Sequence, residues 1–279
     1  MAEITAALVG KLREMTSAGL MECKKALTET SGDLEAAVDI LRKKGVAAAA
    51  KKAGREAREG VIAQCIQPGA RAGAIVEINC ETDFVAKNES FRSFCDEIAG
   101  AVCANPAVDM ESMRTAQVAK IGENILISRH QRFEVSSNGA VAAYIHTGAK
   151  VGVLVEVGAV KEATVSHDDF KQFVRDITLQ IAAASPTVVS RDQIPGAVIE
   201  KETEIAVEQV KNKPPQAVAK IVEGKLEKFF QNTCLLDQGF VKRNAEVTVR
   251  EHLIEVSKNV DDDIVIRRFS RFQVGEAAA

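Results

Sequence analysis

Residues Gly60-Val-Ile-Ala-Gln-Cys-Ile-Gln-Pro-Gly-Ala-Arg-Ala-Gly-Ala-Ile-Val-Glu77 recur, 79 positions later and without a gap, as Gly139-Ala-Val-Ala-Ala-Tyr-Ile-His-Thr-Gly-Ala-Lys-Val-Gly-Val-Leu-Val-Glu156. The register persists through Phe91 and Phe170, Phe94 and Phe173, Ile98 and Ile177, then slips by one at Pro106 and Pro186. A fixed offset held that long marks a tandem duplication. Each copy reads as strand, Gly-containing turn, strand, loop and helix. In the first, residues 61–66 and 74–79 flank Gln67-Pro68-Gly69, while Phe91, Phe94, Cys95, Ile98 and Val102 share one helical face. The fold class predicted is α+β, with two small sheets and their packed helices side by side.

Working outward, residues 1–45 read as a small domain of three short helices. Leu8, Leu12 and Met15 recur at helical spacing behind a cap at Thr5, and Thr16-Ser-Ala-Gly19 breaks the helix. A second helix holding Met21 and Leu27 is stopped by Gly32. Asp33 then caps a third that presents Leu34, Ala37, Val38 and Leu41, and Gly45 ends it. Residues 46–59, rich in Ala and Lys, suit an exposed basic helical linker. Copy one of the core occupies 60–138, and copy two 139–196 and 232–279. Residues 197–231 are inserted in the second copy. Their helical patterns flank Lys211-Asn-Lys-Pro-Pro215, where two prolines forbid one continuous helix, so an antiparallel coiled-coil hairpin is expected, with Val218, Ile221, Val222 and Phe229 on one stripe. Residues 264–274 read as the strand closing the second sheet.

Hydrophobic residues make up 46% and charged residues 27%, an ordinary globular composition, and no stretch nears the roughly 18 apolar residues of a membrane span, so no membrane role is expected. Met1-Ala-Glu-Ile4 has neither signal-peptide nor transit-peptide character, which predicts a cytoplasmic location. A net charge of −3 lacks the Lys and Arg surplus that phosphate contacts require, and no nucleic-acid partner is expected. The basic run from Arg42 to Arg58 is the local exception, read as a solvated linker. Six cysteines are scattered without the short spacing of metal or redox pairs, and are expected to be reduced, most of them buried as small hydrophobes.

No enzyme signature is present: no nucleophile elbow, phosphate loop, paired-His zinc helix or dinucleotide fingerprint. Neither a catalytic group, a cofactor nor a metal is expected, and the chain reads as one that grips another protein. The duplication offers an internal control on where. Glu81-Thr-Asp-Phe-Val-Ala-Lys-Asn88 stands opposite Val160-Lys-Glu-Ala-Thr-Val-Ser-His167, so Phe84 faces Ala163 and is not required by the shared scaffold. Two readings of Phe84 stay open. Either the ring packs under its own loop with Asp83 as helix cap, or it is an exposed anchor that fills a partner's pocket.

At these residues the chain resembles the elongation factor Ts family. Thr16-Ser-Ala-Gly-Leu-Met-Glu-Cys-Lys-Lys-Ala-Leu27 is similar to its helix-turn signature, which usually has Gly at Ser17 and Met at Leu20. Thr82-Asp-Phe-Val-Ala-Lys-Asn88 matches its central motif, and Arg271-Phe-Gln-Val-Gly-Glu276 its closing strand. The resemblance implies a ubiquitin-associated-like (UBA-like) helical domain, a two-part core and a coiled-coil hairpin that together embrace the translation GTPase EF-Tu and release its GDP. It implies that Thr82, Asp83, Phe84 and Val85 disturb the Mg²⁺ held by EF-Tu, and that Arg13, Leu20, Met21 and His146 contact EF-Tu in its GDP-bound and nucleotide-free forms. It leaves room for a larger complex through the hairpin. Some family members continue into a further C-terminal helix beyond the closing strand, whereas this sequence stops at Gly275-Glu-Ala-Ala-Ala279, which puts any contact made by that helix in doubt. A plain surface role for His146 stays open. So do two other classes: a binder of ubiquitin-like or peptide partners, and an enzyme using Cys80 or Asp83.

Overall fold

Two three-stranded antiparallel sheets carry the duplication into three dimensions in the computed structural model, which describes residues 4–16, 18–210 and 213–276. The first sheet orders β1 (Glu59–Ile66), β2 (Ala72–Cys80) and β3 (Ile125–Glu134). The second orders β4 (Gly139–Ile145), β5 (Val151–Ala159) and β6 (Ile264–Gln273). The predicted closing strand is β6. Its equivalent β3 went unread, although the signal was there: Ile125-Leu-Ile-Ser-Arg-His-Gln-Arg-Phe-Glu134 lines up with Ile264-Val-Ile-Arg-Arg-Phe-Ser-Arg-Phe-Gln273 at a separation of 139. The insertion lies between, so the offset here is 139 and not 79.

Reciprocal contacts join the two halves. Val141 N donates to Ala70 O and Ile62 N to Ala149 O, both at 2.8 Å. Ile62, Ile75, Phe133, Val135, Val141, Leu154 and Phe272 form a shared core. Gly73 and Gly152 each face a side chain of the opposite half, Val141 and Ile62 respectively. A Cβ on Gly73 would lie 2.4 Å from Ile66 Cδ1 and one on Gly152 2.5 Å from Ile62 Cγ2, so neither position has room for a side chain. The buried carboxylates of Glu77 and Glu156 accept from Arg129 Nε and Arg268 Nε, each at 2.7 Å. Each arginine also crosses to the other half, Arg129 over the Phe272 ring at 4.5 Å and Arg268 over Phe133 at 4.4 Å. Buried carboxylates are tolerated because they are paired in this way.

Helices α1 (Ala6–Thr16), α2 (Leu20–Glu29) and α3 (Leu34–Lys52) precede the sheets. The predicted end signals operate: Thr5 Oγ1 accepts from Leu8 N, Asp33 Oδ1 accepts from Ala36 N, and Gly32 N closes on Leu27 O. Leu12, Leu27 and Ala37 are buried together, whereas Met15, predicted to share that face, is exposed. In the first half, α4 (Asp83–Lys87), α5 (Glu89–Ala104) and α6 (Met110–Ile121) follow the hairpin. In the second come α7 (Glu162–Ser166), α8 (Asp168–Ala184), the pair α9 (Gly196–Glu208) and α10 (Pro215–Thr233), and then α11 (Val249–Asn259).

The stop predicted at Gly45 does not occur, and α3 runs through it to Lys52. Gly45 is buried against α6, where an added Cβ would meet Ala119 Cβ at 3.7 Å, and Ala49 is buried one turn on. The small-residue stripe lets the two helices touch. Its helix-favouring Ala and Lys neighbours offset the roughly 1 kcal/mol that an interior glycine costs. Ala206 of α9 and Val210 just beyond it pack on Val222 of α10, with Val218 and Ile221, also of the predicted stripe, against them. Ser17 of the first turn and Lys211 and Asn212 of the proline turn lie outside the described residues. Among those described, no helix is long and apolar enough to cross a membrane.

Candidate functional site

Strand β2 is buried along its whole length and delivers the chain to Glu81 at the rim of the first half. Three acceptor contacts from one side chain then fix the backbone. Glu123, between α6 and β3, accepts from Glu81 N (3.0 Å), Thr82 N (3.1 Å) and the Thr82 hydroxyl (2.7 Å). Glu81 in turn accepts from Asn124 N at 2.6 Å. Sequence reading missed Glu123. Its signal was the position 139 residues before Asp262, which does the same work in the second half.

With its entry fixed, α4 starts on Thr82, whose hydroxyl oxygen accepts from Val85 N at 3.3 Å. Thr82 is therefore the cap, and Asp83 is not. Asp83 Oδ2 accepts instead from Lys87 Nζ at 2.7 Å, one turn on, and this bond holds the Asp83 carboxyl below its ordinary range. Successive helical residues point about 100° apart. Ala86 is buried, Val85 packs against the first core, and Phe84 is left facing solvent, 81% exposed. The ring does not pack under its loop, so the first of the two open readings does not hold. Asn88 ends the element and opens α5 by accepting from Ser90 N and Phe91 N.

The other candidate residues lie on different elements. Arg13 is exposed in the last turn of α1, and Leu20 and Met21 are 53% and 63% exposed at the start of α2. His146 is exposed at the β4 turn, with Nδ1 2.9 Å from the Tyr144 hydroxyl, and it lines a cavity of about 340 Å³ with Phe240 and Lys242. Thr82 to Val85 thus form one unit, and the structure places the remaining four residues elsewhere on the surface.

Nucleophilic chemistry does not fit this place. Cys80 is buried, its Sγ donates to Thr82 O at 3.2 Å, and burial, helped by the nearby Glu123 charge, pushes the thiol up to about 12. Among the described residues, no group of three or more His, Cys, Asp or Glu is placed to hold a metal ion.

The duplicated α+β core thus anchors a loop that leaves one aromatic ring in water. The sequence profile described as "Elongation factor TS" matches residues 81–276, beginning at the anchored loop itself. The chain is 44% identical to elongation factor Ts of Symbiobacterium thermophilum over 99% of its own length and 93% of that protein. It is 43% identical to those of Nautilia profundicola and Chloroherpeton thalassium, across 99% of this chain and 94% and 100% of theirs. The chain belongs to the elongation factor Ts family of translation factors.

Proposed function

We propose that this chain binds EF-Tu·GDP and promotes GDP release, leaving EF-Tu free to take up GTP. The observation that carries the proposal is Phe84, held out to solvent on a loop pinned by Glu123, in a member of this family. In this reading the Phe84 ring wedges beside the partner's nucleotide site and Asp83 disturbs the Mg²⁺ and phosphates there. Thr82 and Val85 hold both in place. Arg13, Leu20 and Met21 grip the nucleotide-binding domain of EF-Tu, and His146 touches another of its domains. The helical unit is then UBA-like, and α9 and α10 form a short antiparallel coiled coil through which a larger complex can assemble. The work is done in the cytoplasm, with no nucleic acid, membrane, cofactor or catalytic group.

The energetics suit a factor of this kind. A protein that binds nucleotide-free EF-Tu more tightly than the loaded form weakens nucleotide binding by the same factor. Speeding release a thousandfold lowers its barrier by about 4 kcal/mol. One buried aromatic anchor supplies roughly 2 kcal/mol or more of that. The test follows fluorescent GDP leaving EF-Tu. Wild type should accelerate release, and Phe84→Ala should lose at least tenfold of the acceleration while its thermal melt stays unchanged. No acceleration by wild type overturns the proposed function, and full acceleration by the variant removes Phe84 from it.

A further inference from the structure

Four of the six cysteines fall in the first half of the core, at Cys65, Cys80, Cys95 and Cys103. Their equivalents in the second half are Tyr144, Ala159, Val174 and Ala182. The scaffold therefore closes without a thiol at any of these positions. Cys80 and Cys95 are sealed from solvent, and packing as small hydrophobes accounts for them. Cys65 and Cys103 differ. Cys65 is only half-buried on β1, and Cys103, in the last turn of α5, faces it: Cys103 Sγ donates to the Cys65 carbonyl at 3.5 Å, which brings the two residues together where α5 ends against β1. The end of α5 is held in that position, because the Cys103 carbonyl accepts from Gln67 Nε2 at 3.1 Å and from Arg132 Nε at 2.9 Å. At the equivalent place in the second half, Tyr144 and Ala182 line the open cavity beside His146.

We propose that Cys65 and Cys103 are a modification site, a dithiol that a hydroperoxide such as hydrogen peroxide converts to a disulfide tying α5 to β1. Cys65 is the less buried of the two residues. Its thiolate attacks one peroxide oxygen, the O–O bond breaks, and hydroxide leaves to become water with the proton the thiol gave up. Cys65 is then a sulfenic acid. Cys103 Sγ attacks that sulfur, the S–O bond breaks, and the hydroxyl departs as water with the Cys103 proton. The two sulfurs lose two electrons and the two peroxide oxygens gain them.

Burial, with the Cys65 side chain second, pushes the Cys103 thiol up to about 11, so its thiolate is scarce at neutral pH. Proximity compensates, since effective molarities for aligned groups reach the order of 10⁵ M. Closure of the disulfide should therefore quicken as pH rises toward 11. The bond would close 38 residues of chain and restrict the unfolded state, so the oxidised protein should melt higher.

The experiment exposes the intact native protein to hydrogen peroxide at several pH values, then denatures it, alkylates every free thiol and maps the peptides. Wild type should drop from six alkylated thiols to four, lose two hydrogens in mass, and show the Cys65 peptide linked to the one carrying Cys103. Cys95 shares that peptide, so Cys95→Ser should keep the link, whereas Cys65→Ser and Cys103→Ala should abolish it. Six alkylated thiols after treatment, a bond between any other pair, or Cys65 over-oxidised with Cys103 untouched would each overturn the proposal. The wild-type map decides the matter even if a variant folds poorly, and none of these readouts depends on EF-Tu.

Discussion

The segments 81–88 and 160–167 leave equivalent strands, form equivalent five-residue helices and enter equivalent long ones, yet they present different surfaces. Their anchors match. Where Glu123 accepts from Thr82 N and its hydroxyl, Asp262 accepts from Lys161 N at 2.8 Å and from the Thr164 hydroxyl at 2.6 Å. Burial acts to raise the Asp262 carboxyl, but these hydrogen bonds outweigh it and hold the group below its ordinary range. His167 Nδ1 opens α8 as Asn88 opens α5. What the halves do not share is the outward face: a ring at 84 against a methyl at 163, and an ion pair between Asp83 and Lys87 against Glu162 and Ser166. The duplication kept the groups that hold the loop and let go of those the loop displays.

The largest difference expected between the halves lies beneath the loops. Glu77 depends on one arginine, Arg129, while Glu156 has two, Arg267 at 2.9 Å and Arg268 at 2.7 Å. Arg129→Ala leaves a buried carboxylate without a cation and should cost about 3–5 kcal/mol in urea unfolding. Arg268→Ala leaves Glu156 paired and should cost about 1 kcal/mol. Equal losses would show that the second arginine adds nothing and that the halves are energetically alike.

Next in size is the anchor itself. Glu123→Ala deprives two backbone N–H groups and a hydroxyl of their acceptor and should destabilise by about 2 kcal/mol. Asp262→Ala, whose carboxylate reaches across the fold only to Lys161 N and the Thr164 hydroxyl and otherwise accepts from the adjacent Asp263 N, should cost about 1–2 kcal/mol. The comparison sharpens in the fluorescent GDP assay. Loosening the loop that carries Phe84 should reduce exchange, and loosening its counterpart should not. Matched losses of exchange would mean that the second loop also reaches EF-Tu.

Much of this could be read from residue order, and the failures have physical causes. Gly60 to Glu77 repeats because each position is held by strand pairing or by the interface between the halves, so the offset of 79 survives and the sheets can be read. Glu123 stayed invisible because its work is non-local: it closes on residues far upstream, and the insertion shifts its partner from the first offset to the second. Gly45 misled because a glycine that stops one helix serves elsewhere as the smooth face on which another helix lies. The exposure of Phe84 was left open because an aromatic near a helix start suits a core as well as a surface. Only the placement of Val85 and Ala86 inward decides which.

The smallest effect concerns a titratable group present in one half alone. His252 of α11 stands where α6 has Met113, 139 residues earlier. Its ring is buried, stacked on Phe240 at 4.3 Å and tilted against Phe173 at 5.6 Å. Nδ1 has no hydrogen-bond partner, and Glu255 Oε2 at 3.7 Å is too distant to be one for the neutral ring. Burial, with Arg243 second, holds the His252 pKa below 6.5, against the pull of Glu255 and Asp176. The unfolded chain therefore takes up this proton at a higher pH than the folded one. The contribution is intact above about 6.5 and is lost as pH falls below it, at no more than about 1.4 kcal/mol per pH unit for one proton. His252→Met, which installs the residue of the first half, should flatten stability between pH 6.5 and 5 in urea titrations while leaving it nearly unchanged at pH 8. A slope that survives the substitution would assign the acid sensitivity to the carboxylates the halves share, and the two cores would then titrate alike.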